Sequence, residues 1–225
     1  QNISLIIIDE VHLLGADRGH ILEAIVARLD IIRNDVGKKT RLIGLSTAVA
    51  NSVDLANWLG VPQNGMFNFE PSVRPVPLEA HIHGFPSKHY CPRMESMNQT
   101  VYQSIQNYSR GKPVLIFTSS RRQTRLTASA LVAFSASNDT NDNWCFIDQD
   151  QLSYTIAQIA DESLKTFIPF GIGIHHAGLE VRDRKIVEEL FSQNKIHILI
   201  ATSTLAWGVN FPAHLVIIKG TEYYD

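Results

Sequence analysis

Leu5-Ile6-Ile7-Ile8-Asp9-Glu10-Val11-His12 sets the architecture of this chain. An unbroken apolar run of this length has the composition of a strand buried on both faces, as in a parallel sheet. The run stops at two adjacent carboxylates, and a histidine follows two residues later. Open α/β sheets bind ligands at the carboxyl ends of their strands. Nucleotide hydrolysis asks for such a pair there. Asp9 would hold Mg²⁺, usually through water, and Glu10 would polarise the attacking water. An acidic pair at a strand end also serves as a turn or cap, so the stretch alone leaves both readings open.

The residues that follow have the rhythm of a parallel sheet. Ile21, Leu22, Ile25, Val26, Leu29 and Ile32 recur at helical spacing and predict an amphipathic helix. A polar loop over 34–40 leads to a strand over 41–46. A short helix comes next, with Ser52 as N-cap, Leu55, Trp58 and Leu59 facing inward, and Gly60 in the left-handed C-terminal turn. This β-α-β-α succession is the unit of a parallel sheet. Pro62, Pro71, Pro75 and Pro77 then crowd together and mark a connection, within which Val76, Leu78, Ala80 and Ile82 alternate as a half-buried strand does.

Met94, Met97, Val101, Ile105 and Tyr108 predict a helix packed by its apolar face. The α/β rhythm then resumes. Strands are expected over 113–118, 171–175, 195–201 and 214–219, helices from 121 and over 152–167 and 181–191, and a polar loop over 135–143. The expected organisation is α/β. Residues 1–74 form one block, 75–112 a linker and the entry to the second block, and 113–225 the second block.

Composition narrows the function classes. The 225 residues carry a net charge of −2 and are 44% hydrophobic, so a core is available and no global positive charge announces nucleic acid. Any polyanion site has to be local. Cys91 and Cys145 lie far apart in the sequence, which suits a reducing compartment without excluding one bridge. No signal-peptide pattern is visible, and no apolar run approaches the ~20 residues of a membrane span. The expectation is an intracellular protein of nucleus or cytosol with no membrane partner. Gln1 stands just before a core strand and Asp225 just after one, so the chain reads as a window on a longer protein with both blocks incomplete.

Four further segments carry chemistry. Thr118-Ser119-Ser120-Arg121-Arg122, with Arg125 close behind, offers hydroxyls, cations and free N–H groups where a strand enters a helix, which suits a phosphate. Simple helix capping by Ser119 or Ser120 is the competing account. His175-His176-Ala177-Gly178-Leu179 places histidines at a strand end; no Cys or carboxylate at ligand spacing supports zinc. Thr202, Ser203 and Thr204 open a loop running through Gly208 to Asn210, with hydroxyls able to bond phosphate oxygens and a glycine that admits close backbone approach. Ser46-Thr47-Ala48 ends the second strand, with two hydroxyls that could bond across to Asp9 or His12; helix capping would look the same. Gly37-Lys38-Lys39-Thr40 is no P-loop: it lacks the first glycine and precedes a strand.

Taken in order, Asp9 to His12, Ser46 to Ala48, Ser119 to Arg121, His175 to Leu179 and Thr202 to Asn210 resemble motifs II, III, IV, IVa and V of superfamily 2 DExH helicases of the Ski2-like group. Segments 72–78, 120–127 and 214–221 resemble its dual-cassette members. The second cassette of the cointegrator-complex type is favoured over the spliceosomal type. Ser46-Thr47-Ala48 departs from the Ser-Ala-Thr of most of the superfamily.

The resemblance implies two RecA-like lobes with parallel sheets, both incomplete here, and ATP and Mg²⁺ as cofactors. It implies that Asp9 binds Mg²⁺ through water, Glu10 activates water, and His12 links ATP to the nucleic-acid side. Ser46 and Thr47 couple hydrolysis to movement, and Gly208 and Asn210 approach ATP. Ser119, Ser120, Arg121, His176, Thr202 and Thr204 line a single-stranded RNA or DNA. The implied activity is 3′ to 5′ translocation and unwinding within a multiprotein complex. With no P-loop and no motif VI in its sequence, the segment alone is expected to be inactive. The alternative is a non-catalytic, helicase-like cassette that binds proteins.

Overall fold

A computed structural model describes residues 3–16, 19–36, 40–137, 144–207 and 211–222, with backbone alone for 33–36, 206 and 207. The chain divides into two compact units, Gln1–His81 and Ile82–Asp225. The division falls inside the 75–112 stretch that the prolines mark.

In the first unit, strand β1 (Leu5–Ile8) pairs in parallel with β2 (Arg41–Gly44), Leu5 opposite Arg41 and Ile8 opposite Gly44. A 3₁₀ turn over Val11–Gly15 and helix α1 (Gly19–Val36) connect them, and helix α2 (Ser52–Trp58) follows. Pairing continues past both strand ends. Leu45 N–H donates to the Ile8 carbonyl (2.8 Å) and Val11 N–H to the Leu45 carbonyl (2.9 Å), which pins the acidic turn against the end of β2.

The core of this unit gathers Ile8, Val11, Val26 and Leu59 with Ile6, Leu22, Leu55, Trp58 and Val61 around them. The expected inner face of α1 is only half covered: Val26 is buried, while Ile21, Ile25 and Ile32 are exposed. Gly60 takes the left-handed turn, at φ +65°. Ser52 is the first residue of α2, not its cap; Asn51 holds that place and makes no capping bond.

The alternating segment through Ile82 does not form a strand. Val76, Leu78 and Ile82 are 74%, 72% and 95% exposed. A strand exists only with a neighbour to take its backbone bonds, and alternation of side chains cannot supply one.

The second unit holds a parallel sheet in the order β4-β5-β3-β6. Its strands are β3 (Val114–Thr118), β4 (Ile172–His175), β5 (Ile198–Thr202) and β6 (Leu215–Lys219). Every strand was expected, within a few residues of its observed ends. Helices α3 (Tyr90–Tyr108), α4 (Arg121–Ser137) and α7 (Val181–Ser192) match their apolar periodicity. The single helix expected over 152–167 is two, α5 (Gln149–Gln158) and α6 (Glu162–Phe167). The Asp161 carboxylate accepts from Leu164 N–H (3.0 Å) and caps α6, so the break carries its own start signal.

The core runs through Ile116, Leu131, Leu164, Ile174, Val187, Phe191, Ile198 and Ile200, each fully buried. Because the strands are parallel, their carboxyl ends meet at one edge, with Thr118 opposite Thr202 on one side and Lys219 on the other.

Candidate functional site

In the first unit, the strand end and the end of its neighbour come together as expected. Asp9 Oδ1 accepts the N–H of Glu10 (2.9 Å), which bends the chain sharply after β1. Glu10 lies in the left-handed region, at φ 56°. Strain of this kind costs about 1–3 kcal/mol and gathers at functional positions. His12 stands in the following 3₁₀ turn and bridges two groups. Its Nε2 faces Glu10 Oε2 at 3.2 Å, and its Nδ1 accepts the backbone N–H of Thr47 at 3.4 Å.

The bridge to the 46–48 segment therefore runs through backbone. The Ser46 hydroxyl is engaged locally: its Oγ donates to the Thr47 carbonyl (2.8 Å). Among the described residues, no group of three His, Cys, Asp or Glu side chains could hold a metal ion by itself. Mg²⁺ of the nucleotide-bound kind takes one or two carboxylates and completes its shell with phosphate oxygens and water. Asp9, exposed and with one oxygen already fixed by Glu10, is the carboxylate that could contribute.

The second unit places Ser119, Ser120, Arg121, His176, Thr202 and Thr204 at the carboxyl edge of its sheet. The capping account holds for one residue of the serine pair. Ser120 Oγ accepts Gln123 N–H (3.3 Å) and caps α4, while Ser119 shares a hydrogen bond with the Tyr90 hydroxyl. Arg121, first residue of α4, lies across the turn after β4. A Cβ added to Gly178 would stand 2.4 Å from its guanidinium, so a larger residue there would push the flexible tip of the arginine aside.

His176 Nδ1 accepts Gly178 N–H (3.2 Å), which leaves the proton on Nε2, buried and without a bond. Burial, then the charges of Arg121 and Arg125, lower its pKa from 6.5. The ring is therefore neutral at pH 7 and offers an N–H donor beside two guanidinium groups. Such a cluster of donors and positive charge suits an oxyanion. Thr202 Oγ1 and Thr204 Oγ1 bond each other at 3.0 Å in the turn after β5. Gly208 and Asn210 lie outside the described residues.

His175 turns away from this edge and bonds Glu188 of α7 through Nε2 (2.8 Å). Several residues at the edge escaped the sequence reading. Asp161 pairs with Arg125 (3.4 Å), and its own N–H and that of Ala160 are held by the buried Asp183 carboxylate (2.9 and 3.1 Å). Arg125, already counted with Arg121 and Arg122 among the cations after β3, follows Arg121 by one helical turn. Nothing local to Asp161, Asp183 or Tyr90 signals their contacts.

The helicase conserved C-terminal domain family matches residues 146–223. Over all 225 residues the chain is 61% identical to activating signal cointegrator 1 complex subunit 3 of Danio rerio and 60% to that of Homo sapiens, of which it spans 15% and 10%. It is 57% identical to DExH-box ATP-dependent RNA helicase DExH14 of Arabidopsis thaliana, again over 10% of that protein. In fold it is similar to the DUF1998 helicase MrfA bound to DNA and AMPPNP, with a TM-score of 0.52 at 17% identity over 98% of this chain and 27% of that one. The resemblance read from the sequence holds over the chain's whole length.

Proposed function

We infer that this chain is a segment of a DExH helicase in which the first unit carries the hydrolytic carboxylates and the second carries the strand-binding edge. The reading rests on the hydrogen-bonded row Glu10–His12–Thr47 at the paired ends of β1 and β2, in a chain 57–61% identical to such proteins. Bound ATP and Mg²⁺ would supply the phosphoanhydride and the charge that neutralises its oxygens. Asp9 would hold the metal, and Glu10 would accept a proton from the attacking water. His12, fixed between Glu10 and the Thr47 N–H, relays the state of the site to the 46–48 segment.

In the second unit the α4 N-terminus, Arg121, the His176 N–H and the hydroxyls of Thr202 and Thr204 bond phosphates of a single strand. Such contacts follow the backbone and read little sequence. The full-length protein would move 3′ to 5′ and unwind as the second cassette of a subunit in a larger complex. This is in keeping with the relatives' name as a subunit of the activating signal cointegrator 1 complex.

The test is Glu10→Gln in the full-length protein. The substitution keeps the shape of the site and removes the charge that accepts the proton. ATP binding should persist while strand-stimulated hydrolysis by this cassette falls about 10²–10⁴-fold. Retained turnover would reject the assignment.

A further inference from the structure

The turn that carries Ser119 is braced from outside its own strand and helix, and the brace is the first turn of α3. Tyr90 opens that helix, and its phenol shares a hydrogen bond with the Ser119 hydroxyl, 29 residues away. Capping of α4 falls to Ser120, so the Ser119 side chain is spared that task.

Helix α3 is itself fastened to the neighbouring strand end at three successive steps. The Lys219 amine, 2% exposed at the end of β6, donates to Asn98 of α3 and to Thr127 of α4 (2.8 Å). Met94 packs against Gly220, where φ is +87° and an added Cβ would stand 3.0 Å from the Met94 methyl. Arg93 pairs with Glu222 and donates to the Ser87 carbonyl (3.2 Å). Strands β6 and β3 are adjacent, with Lys219 opposite Thr118. The start of α3 therefore grips the sheet edge at the end of β6 and reaches the end of β3 through Tyr90.

Packing of Met94, Val101 and Ile105 holds α3 in place without the phenol. What the phenol adds is the orientation of one hydroxyl. A serine side chain has three staggered positions, and a single hydrogen bond selects one.

We propose that Tyr90 is a positioning residue for the strand-binding edge: its phenol fixes the Ser119 hydroxyl so that this hydroxyl and the first N–H groups of α4 meet a phosphate as one preset donor group. The proposal rests on the strand-binding reading given above.

The experiment is a double-mutant cycle in the full-length protein, with single-stranded oligouridylate as probe and binding read by fluorescence anisotropy at fixed salt. Tyr90→Phe keeps the ring and its packing. It should weaken binding about 3- to 10-fold, the range of one lost hydrogen bond and a freed rotamer, with the melting temperature unmoved. In a Ser119→Ala background the same change should have no further effect, and hydrogen exchange at 119–123 should quicken in Tyr90→Phe without any strand present. Equal weakening in both backgrounds, or none in the wild-type background while Ser119→Ala binds poorly, would overturn the proposal. If Ser119→Ala and Arg121→Ala both bind like the wild type, the strand-binding reading itself has failed and takes the role of Tyr90 with it.

Discussion

The two units bury their strands to different depths. In the first, Ile8 is buried while Leu5 and Ile7 of the same strand stay 46% and 59% exposed. In the second, Ile172, Ile174, Ile198, Leu199 and Ile200 are fully buried, so β4 and β5 are closed on both faces. A two-stranded sheet is marginal by itself, whereas a four-stranded one flanked by helices has an independent core. The consequence reaches the chemistry. Arg121, His176 and Thr202 stand on backbone fixed by that core, and rigid elements hold a site more closely than loops do. Asp9, Glu10 and His12 are tied together by bonds at the paired ends of β1 and β2.

The largest test of this contrast is truncation in each sheet. Ile174→Ala or Ile200→Ala should cost about 2–5 kcal/mol, while Ile7→Ala should stay within about 0.5 kcal/mol. Denaturant unfolding, with hydrogen exchange read separately in each unit, gives both numbers. Equal losses would mean that the two sheets share one cooperative core.

A smaller effect should separate the units by pH. Burial lowers the Lys219 pKa from 10.5 to about 8. The ammonium form is the one disfavoured in the folded unit, so its penalty is complete below pH 8 and vanishes as pH rises through 10.5. Stability of the second unit should therefore increase by about 2 kcal/mol between pH 8 and 10. Lys219→Met should flatten that rise, and the first unit should show none of it. An unchanged slope in the variant would show that the buried amine is not its source.

The smallest effect belongs to the surface. Arg125 is half exposed and meets Asp161 at 3.4 Å. Arg125→Gln should change stability by no more than about 1 kcal/mol. A greater loss by thermal melting would make that pair part of the core and blur the line between edge and scaffold.

The strands of both units were legible because each is a short apolar run bounded by turn residues, and apolar runs need no partner in the sequence to be recognised. Their ends located the strand-edge residues for the same reason: a parallel sheet gathers its strand ends at one edge. The segment 76–82 misled because alternation describes side chains, while a strand is made by backbone bonds to a neighbour. The break between α5 and α6 escaped because apolar positions continue across Ile159, although Asp161 two residues later is a good cap.

The Tyr90–Ser119 bond, the grip of Lys219 on Asn98 and Thr127, and the hold of Asp183 on 160–161 join residues that the chain order keeps 22 to 121 positions apart. No periodicity records such pairings. Within the first unit, sequence order correctly suggested that the 46–48 segment meets His12. It could not tell that the bond runs from a backbone N–H, since the hydroxyls beside it carry the more conspicuous chemistry.

The most direct test of the division of labour is the salt dependence of oligouridylate binding by the full-length protein, measured for Arg121→Ala and for Glu10→Gln. If the second unit holds the strand and the first only hydrolyses, Arg121→Ala binds more weakly, and its plot of log affinity against log salt concentration is shallower by about 0.7, the value of one lost phosphate contact on a single strand. Glu10→Gln keeps the wild-type slope and affinity. An unchanged slope in Arg121→Ala, or the same loss in Glu10→Gln, would contradict the account.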